Sequence, residues 1–132
     1  MTVKPEMNSL VLVSTFTALL WVPYMLNRIV VRGIAGTVGY PVNPPALAPW
    51  AERLRAAHAN AVENLAVFAA LILAAQVLNI STPLTALAGS LYLWSRVAHA
   101  ATYTFGVPWL RTLAFVGGFV AQMLVAGQLL GA

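Results

Sequence analysis

The sequence predicts an all-α integral membrane protein, a bundle of four transmembrane helices, and three observations support this fold class. Of the 132 residues, 61% are hydrophobic and only 8% are charged, whereas an ordinary soluble domain carries about a quarter charged residues. Four apolar stretches, each long enough for the roughly 20 residues that a spanning helix needs, occupy most of a single domain, residues 1–132. Short polar or Gly/Pro-rich connections separate these stretches.

The first predicted span covers residues 9–31 and contains no acidic residue. As a helix it would measure roughly 35 Å, enough to cross a bilayer. Pro23 lies inside it, and Arg28 and Arg32 lie near its end, so it does not resemble a cleaved signal peptide. We expect a retained helix with a bend at Pro23. Residues 33–49 contain three glycines and four prolines, which predict a loop outside the hydrocarbon.

Three further spans are predicted, at residues 50–78, 83–105 and 108–131. The second span opens with a polar run, residues 52–64, and becomes apolar afterwards. In the turn before the third span, Ser81 or Thr82 can cap the helix and Pro83 can take its first position. Pro108 separates the third span from the fourth.

The arginines predict the orientation of the spans. All of them lie near the connection after the first span or the one after the third: Arg28, Arg32, Arg53, Arg55, Arg96 and Arg111. The connection after the second span has no Lys or Arg. Positive charge favours the cytoplasmic side, so both termini are expected on the opposite side, although Lys4 near the N-terminus counts against this orientation.

Several function classes are excluded by composition. The chain contains no cysteine, so it has neither a disulfide framework nor a cysteine nucleophile. Its two histidines do not follow a metal-ligand spacing, and we predict no metal site. The formal net charge is +4 without a basic run, whereas nucleic-acid binding needs a clustered basic face.

Polar side chains collect on two helical stripes. Arg53, Asn60 and Glu63 share one face of the second span, and the third span carries Tyr92, Arg96, His99 and Tyr103 at spacings of four, three and four. A charge at membrane depth costs roughly 2.5 to 3.5 kcal/mol on insertion scales. These residues therefore either pair between helices, as polar side chains do in lipid, or face a ligand.

Arg111 lies in the first turn of the fourth span, where the helix dipole disfavours a cation by about 0.3 to 1 kcal/mol. An anion pocket is therefore predicted at this turn. It would be formed by the free N–H groups of the turn, the Arg111 guanidinium and the Thr112 hydroxyl. Arg28 adds a further cation at the same level. Seven Lys and Arg residues exceed three Asp and Glu residues, so a multiply anionic ligand would complete such a site.

Three stretches of the sequence resemble the MAPEG superfamily, the membrane-associated proteins in eicosanoid and glutathione metabolism, and a bacterial member in particular. The first is the run E-R-x-x-x-A-x-x-N-x-x-E, here Glu52, Arg53, Ala57, Asn60 and Glu63. The second is RVAHAATY, residues 96–103, and the third is PWLRT, residues 108–112. Their order and the four spans agree with the family across nearly the whole chain.

The resemblance implies a glutathione-dependent transferase or peroxidase of the bacterial inner membrane that acts on lipophilic electrophiles or hydroperoxides. It also implies a homotrimer with glutathione bound between subunits near the cytoplasmic face and with the second substrate entering from the lipid. Arg111 corresponds to the thiol-activating arginine, and Thr112 stands where some members carry serine. The residues expected to bind glutathione are Arg28, Arg53, Asn60, Glu63, Arg96, His99 and Tyr103.

Two positions depart from the family pattern. Members often carry an arginine four residues before the asparagine, where this chain has Ala56, and some carry a tyrosine four residues after the activating arginine, where it has Phe115. The alternative function is therefore a non-catalytic lipid-binding or scaffold protein of the same superfamily. A small multidrug transporter would need an acidic residue deep in the first span, which has none.

Overall fold

The computed structural model describes residues 2–132, and this part of the chain forms α-helices and no strand. The five helices are α1 (Pro5–Leu19), α2 (Trp21–Val38), α3 (Pro49–Val77), α4 (Pro83–Thr104) and α5 (Pro108–Leu130). Because α1 and α2 follow each other almost without interruption, these helices form four long helical segments, which we call rods. This confirms the predicted all-α fold with four long helical segments.

Three of the four rods are long and apolar enough to cross a membrane, namely Pro5–Val38, Pro49–Val77 and Pro108–Leu130. The remaining rod is α4, the third in chain order. It has 22 residues and is therefore about 33 Å long, a sufficient length for a crossing. It contacts α1, α3 and α5, with its most extensive contact on α5. Helix α4 is thus the central element of the bundle and carries its polar residues into the interior.

The first rod is longer than predicted. It starts at Pro5 rather than residue 9, and its regular hydrogen bonding is interrupted at Leu20, whose N–H bonds to the Thr17 carbonyl at 3.3 Å. The cause is Pro23, which has no N–H to donate to the carbonyl four residues before it. The interruption of the helical hydrogen bonding therefore lies about one turn before Pro23 itself.

The prediction that residues 33–49 form a loop is wrong for residues 34–38, which are helical, and for Pro49, which begins α3. Gly33 adopts φ 71° and ψ 171°, a conformation that interrupts the helix and that glycine tolerates without steric cost. Helical structure then resumes and continues to Val38. Only residues 39–48 connect α2 to α3, and the Arg32 Nε–H donates to the Pro45 carbonyl at 2.9 Å across this connection.

The helix starts follow the sequence closely. Each of α3, α4 and α5 has a proline in its first turn, where the missing N–H costs nothing. Thr82 rather than Ser81 caps α4, because its Oγ1 accepts from the Thr85 N–H at 3.1 Å while Thr85 Oγ1 accepts from the Thr82 N–H at 2.8 Å. This reciprocal pair fixes the first residue of α4.

The apolar core lies among α1, α3, α4 and α5. Phe68 and Tyr92 stack at its centre with ring centroids 3.8 Å apart. The surrounding buried residues are Leu10, Val13, Ile72, Ala88, Ala121 and Val125. Small residues permit the close approach of the helices, as at Gly89 of α4, where an added Cβ would lie 3.1 Å from the Ser9 Cβ and 3.2 Å from the Glu6 Cα of α1.

The close contact between α4 and α1 at Gly89 can be tested by adding a methyl group there. Gly89→Ala forces a methyl group against the α1 backbone, and such overpacking costs about 1 to 3 kcal/mol. The matched control is Gly127→Ala, where an added Cβ meets nothing within 4 Å. Both changes gain the same helix propensity, so we expect Gly89→Ala to unfold in detergent at a clearly lower temperature than Gly127→Ala. Equal unfolding midpoints would contradict the close α1–α4 contact.

Candidate functional site

The candidate site forms where α4 ends and α5 begins. Only residues 105–107 connect the two helices. Gly106 adopts φ 73°, and the Val107 N–H bonds to the Thr102 carbonyl at 2.9 Å, an arrangement that closes the C-terminus of a helix. The tight turn makes α4 and α5 antiparallel neighbours. It therefore places Tyr103, in the last turn of α4, beside Arg111, in the first turn of α5.

Arg96 lies in the interior below this turn and is only 2% exposed. Its Nη2 donates to Asn60 Oδ1 at 2.7 Å and to His99 Nδ1 at 3.4 Å, whereas its Nε has no hydrogen-bond partner. A buried guanidinium normally pairs with a carboxylate, because desolvation of an isolated charge is costly. Here neutral side chains from α3 and α4 surround it instead.

Aromatic rings position the second arginine of the site. The Arg111 guanidinium carbon lies 4.7 Å from the centroid of the Tyr103 ring, within the range of a cation–π interaction. The Tyr103 and His99 rings in turn pack edge to face, with centroids 5.5 Å apart and planes inclined by 69°. Helix α4 thus supplies an aromatic support on which the Arg111 guanidinium rests.

Two adjoining cavities open around Tyr103 and Arg111, and we call them together the Arg111 cleft. The first, of about 290 Å³, is lined by Arg53, Tyr103, Gly106, Val107, Pro108 and Arg111. The second, of about 210 Å³, is lined by Asn60, His99, Tyr103, Arg111, Thr112 and Phe115. Their combined size falls within the roughly 300 to 1,000 Å³ typical of small-molecule sites.

The Arg111 cleft is cationic. Arg53 and Arg111 line it, and no carboxylate does. Within residues 2–132, the one ion pair joins Arg55 to Glu52 at 3.9 Å, on the exposed start of α3. The carboxylates of the described chain therefore leave the charge of the cleft uncompensated, as the charge count of the sequence predicted.

The first turn of α5 offers the expected N–H groups, with one difference for Thr112. The Arg111 N–H bonds to the Val107 carbonyl at 3.0 Å, so the free N–H groups of the turn belong to Trp109 and Leu110. Thr112 Oγ1 donates to the Pro108 carbonyl at 3.0 Å. Its hydrogen is thus engaged, and it can reach a ligand only after the hydroxyl rotates.

The cleft brings together six of the nine predicted site residues, namely Arg53, Asn60, His99, Tyr103, Arg111 and Thr112. Arg96 lies directly behind the wall formed by Asn60 and His99. Glu63 is exposed on the outside of α3 and lines neither cavity. Arg28 lies on α2, also away from both cavities, and its Nε is buried without a partner. A single chain therefore does not bring these two residues to the cleft.

Two residues of the site region were not predicted. Gln122 of α5 donates from Nε2 to the Asn64 carbonyl at 3.0 Å. Asn64 donates from Nδ2 to Asn60 Oδ1 at 3.3 Å and to the Asn60 carbonyl at 2.9 Å. The signal in the sequence is the more central of two glutamines within the apolar fourth span and an asparagine one turn after Asn60. Neither residue identifies its partner without the packing.

No cluster of three or more His, Cys, Asp or Glu side chains that could hold a metal ion forms within residues 2–132. The cleft instead consists of hydrogen-bond donors, two guanidinium groups and aromatic rings, a donor set suited to an organic anion.

Comparison with protein families matches residues 11–131 to the MAPEG family. Searches of the curated proteins and of the solved structures give no match. The family match covers nearly all of the chain, including every helix that contributes to the cleft, and it agrees with the helical bundle and its long apolar rods. The chain therefore belongs to the MAPEG family of membrane proteins.

Proposed function

We propose that the protein is a membrane-bound, glutathione-dependent transferase or peroxidase that activates the thiol of glutathione as a thiolate. The observation that carries this proposal is the position of Arg111. Its guanidinium rests on Tyr103 at the N-terminal end of α5, inside a cleft that contains a second arginine and no carboxylate. Family membership supports the choice of glutathione among anionic ligands.

The residues of the cleft fit a tripeptide with two carboxylates. Arg53 can neutralise one carboxylate, Arg111 can neutralise the thiolate, and Asn60 and His99 add neutral hydrogen-bonding groups between the helices. Charge-assisted bonds of this kind contribute about 1.5 to 3 kcal/mol each. The cleft therefore favours an anionic peptide over a neutral one of the same size.

Arg111 would act on the sulfur. A free thiol has a pKa near 8.5 and is only a few per cent thiolate at pH 7. Lowering that pKa by about two units requires about 2.7 kcal/mol of preferential stabilisation of the anion. One charge-assisted bond from Arg111, together with the helix terminus at about 0.3 to 1 kcal/mol, supplies this amount.

Thr112 and Phe115 limit the chemistry. Thr112 would support the thiolate once its hydroxyl turns away from the Pro108 carbonyl. Phe115 lines the second cavity beside His99, with ring centroids 6.3 Å apart, and it has no phenolic proton to give. Conjugation of an electrophile with a leaving group needs no proton donor, whereas reduction of a hydroperoxide needs another acid or water to protonate the departing oxygen.

Assembly as a homotrimer would complete the site. Glu63 is exposed in the middle of α3, a position where contact with lipid would cost energy. A neighbouring copy that covers α3 would remove Glu63 from lipid and bring it to the ligand, where its carboxylate can pair with the amino group of glutathione. Arg28, with its unpartnered Nε, would meet a carboxylate of the same ligand.

The proposed location is the inner membrane of a bacterium, with the cleft near the cytoplasmic face. The clustering of the arginines at the two connections on one side supports this orientation. Glutathione would then enter from the cytoplasm and the lipophilic substrate from the lipid.

The alternative is a non-catalytic lipid-binding or scaffold protein, which is favoured by Ala56, by Phe115 and by the nearly apolar cavity of about 240 Å³ against α1, α3 and α4.

Glutathione binding separates the two functions. At about 100 times its dissociation constant, a ligand that binds only the folded state adds about 2.7 kcal/mol to stability. We expect glutathione, and not triglycine, to raise the unfolding temperature of the purified protein in detergent and to be conjugated to an aryl halide. No thermal stabilisation would favour the scaffold.

Removal of the Arg111 guanidinium should separate binding from chemistry. Without it the bound thiol returns toward its free pKa, so the thiolate fraction at pH 7 falls roughly 20- to 30-fold. We expect Arg111→Ala to lose conjugation by about that factor at pH 7, to regain it as the pH rises through about 8.5, and still to bind glutathione. Arg55→Ala, outside the cleft, is the control and should behave as the wild type. An unchanged pH profile in Arg111→Ala would remove Arg111 from the mechanism.

The aromatic support of Arg111 predicts a difference between two substitutions of Tyr103. Tyr103→Phe keeps the ring below the guanidinium, whereas Tyr103→Leu removes a cation–π interaction of about 0.5 to 2 kcal/mol. We expect kcat/KM for conjugation to fall roughly 2- to 30-fold in Tyr103→Leu and much less in Tyr103→Phe. Equal losses in both variants would show that the hydroxyl, and not the ring, is the important part of Tyr103.

A further inference from the structure

A chain of hydrogen bonds runs through the interior from α5 to the Arg111 cleft. Gln122, 5% exposed, donates to the Asn64 carbonyl. The Asn64 side chain donates to Asn60 Oδ1 at 3.3 Å. The same oxygen accepts from Arg96 at 2.7 Å, and Arg96 also meets His99 Nδ1 at 3.4 Å. This polar chain therefore connects α3, α4 and α5 and ends at two residues that line the cleft.

The direction of the polar chain follows from the chemistry of its members. A guanidinium only donates hydrogen bonds, so the atom of Asn60 that faces Arg96 has to be the amide oxygen. Asn64 faces that oxygen and the Asn60 carbonyl, both acceptors, and so has to present its NH2 group. By the same reasoning, His99 Nδ1 accepts and the ring carries its hydrogen on Nε2.

Asn60 can offer a ligand in the cleft only its hydrogen-bond donor. Two donors from within the protein occupy its amide oxygen, and the side-chain atom that remains for a ligand is the NH2 nitrogen. Reversal of this amide would set an NH2 group against both Arg96 and Asn64 and lose both bonds. Asn60 is thereby held as a donor, although a free asparagine side chain offers a donor and an acceptor equally well.

We infer that Asn64 is a positioning residue, anchored by Gln122, that holds Asn60 with its NH2 group toward the cleft. This wall therefore selects an acceptor oxygen of the ligand, a carboxylate or a carbonyl, and rejects an ammonium group. The inference rests on the proposed function, since glutathione is the ligand whose acceptor oxygen Asn60 would bind. The amino group of glutathione would then bind at another part of the site.

A double-mutant cycle tests the role of Asn64. Asn64→Leu keeps the branched shape of the side chain, removes its hydrogen-bonding groups and leaves the backbone carbonyl that Gln122 contacts. We expect the glutathione KM to rise roughly 5- to 20-fold, the equivalent of about 1 to 2 kcal/mol, with a much smaller change in kcat and no shift in its pH profile. Because Asn64 acts through Asn60, the combination Asn60→Leu/Asn64→Leu should bind glutathione no more weakly than Asn60→Leu alone.

The control for this cycle is Gln128→Leu on α5, which removes a partly buried side-chain hydrogen bond away from the cleft, donated by Thr82 to Gln128 at 3.0 Å. It should leave the KM for glutathione unchanged. An unchanged KM in Asn64→Leu, or additive losses in the double variant, would overturn the role of Asn64. Wild-type protein that fails to bind glutathione would overturn the proposed function, and this inference with it.

A second variant tests whether Asn60 presents a hydrogen-bond donor to the cleft, and this test holds even if Asn64→Leu fails to fold. Asn60→Asp keeps the shape and both bonds from Arg96 and Asn64, but it replaces the donor that faces the cleft with an acceptor. We expect its dissociation constant for glutathione, measured by titration calorimetry in detergent, to rise more than tenfold. Binding as tight as in the wild type would overturn the inferred donor polarity.

Discussion

The burial of one guanidinium group, that of Arg96, is the constraint on which the interior arrangement depends. Moving a cation out of water costs several kcal/mol even after local relaxation, and no carboxylate of the described chain pairs with Arg96. The cost is offset only where acceptors converge on the group. Asn60 from α3 and His99 from α4 provide them. The orientation of both side chains, and hence the character of the cleft wall, follows from this requirement.

A second constraint is the short turn between α4 and α5. Since only three residues connect the helices, the last turn of α4 and the first turn of α5 share one end of the bundle. Arg53 joins them there, donating from Nε to the Thr104 carbonyl at 2.8 Å. Cations therefore accumulate in a confined space, where their repulsion is weakly screened. An anion between them lowers this repulsion, which is why the cleft is suited to an anionic ligand.

The fold was predictable to the extent that it depends on composition and local signals. Apolar length identified the four long helical segments, Pro83 and Pro108 located two helix starts, and the start predicted at residue 50 lies one residue after the observed start at Pro49. The continuation of α2 beyond Gly33 was not predictable, because glycines and prolines mark a weakened helix without stating whether it stops. Packing decides that question, and here the connection to α3 is anchored by Arg32 and Asn27.

Spacing along single helices was enough to place Asn60, Arg96 and His99 on interior stripes and Arg111 at a helix N-terminus, because such positions depend only on the geometry of one helix. The sequence by itself thus determined a helical membrane bundle with a surplus of positive charge at one end. The tertiary structure alone decided that Arg111 lies on Tyr103, that Gln122 reaches Asn64, and that Glu63 stays outside. These outcomes depend on the relative rotation and depth of different helices, which no periodicity within one helix records.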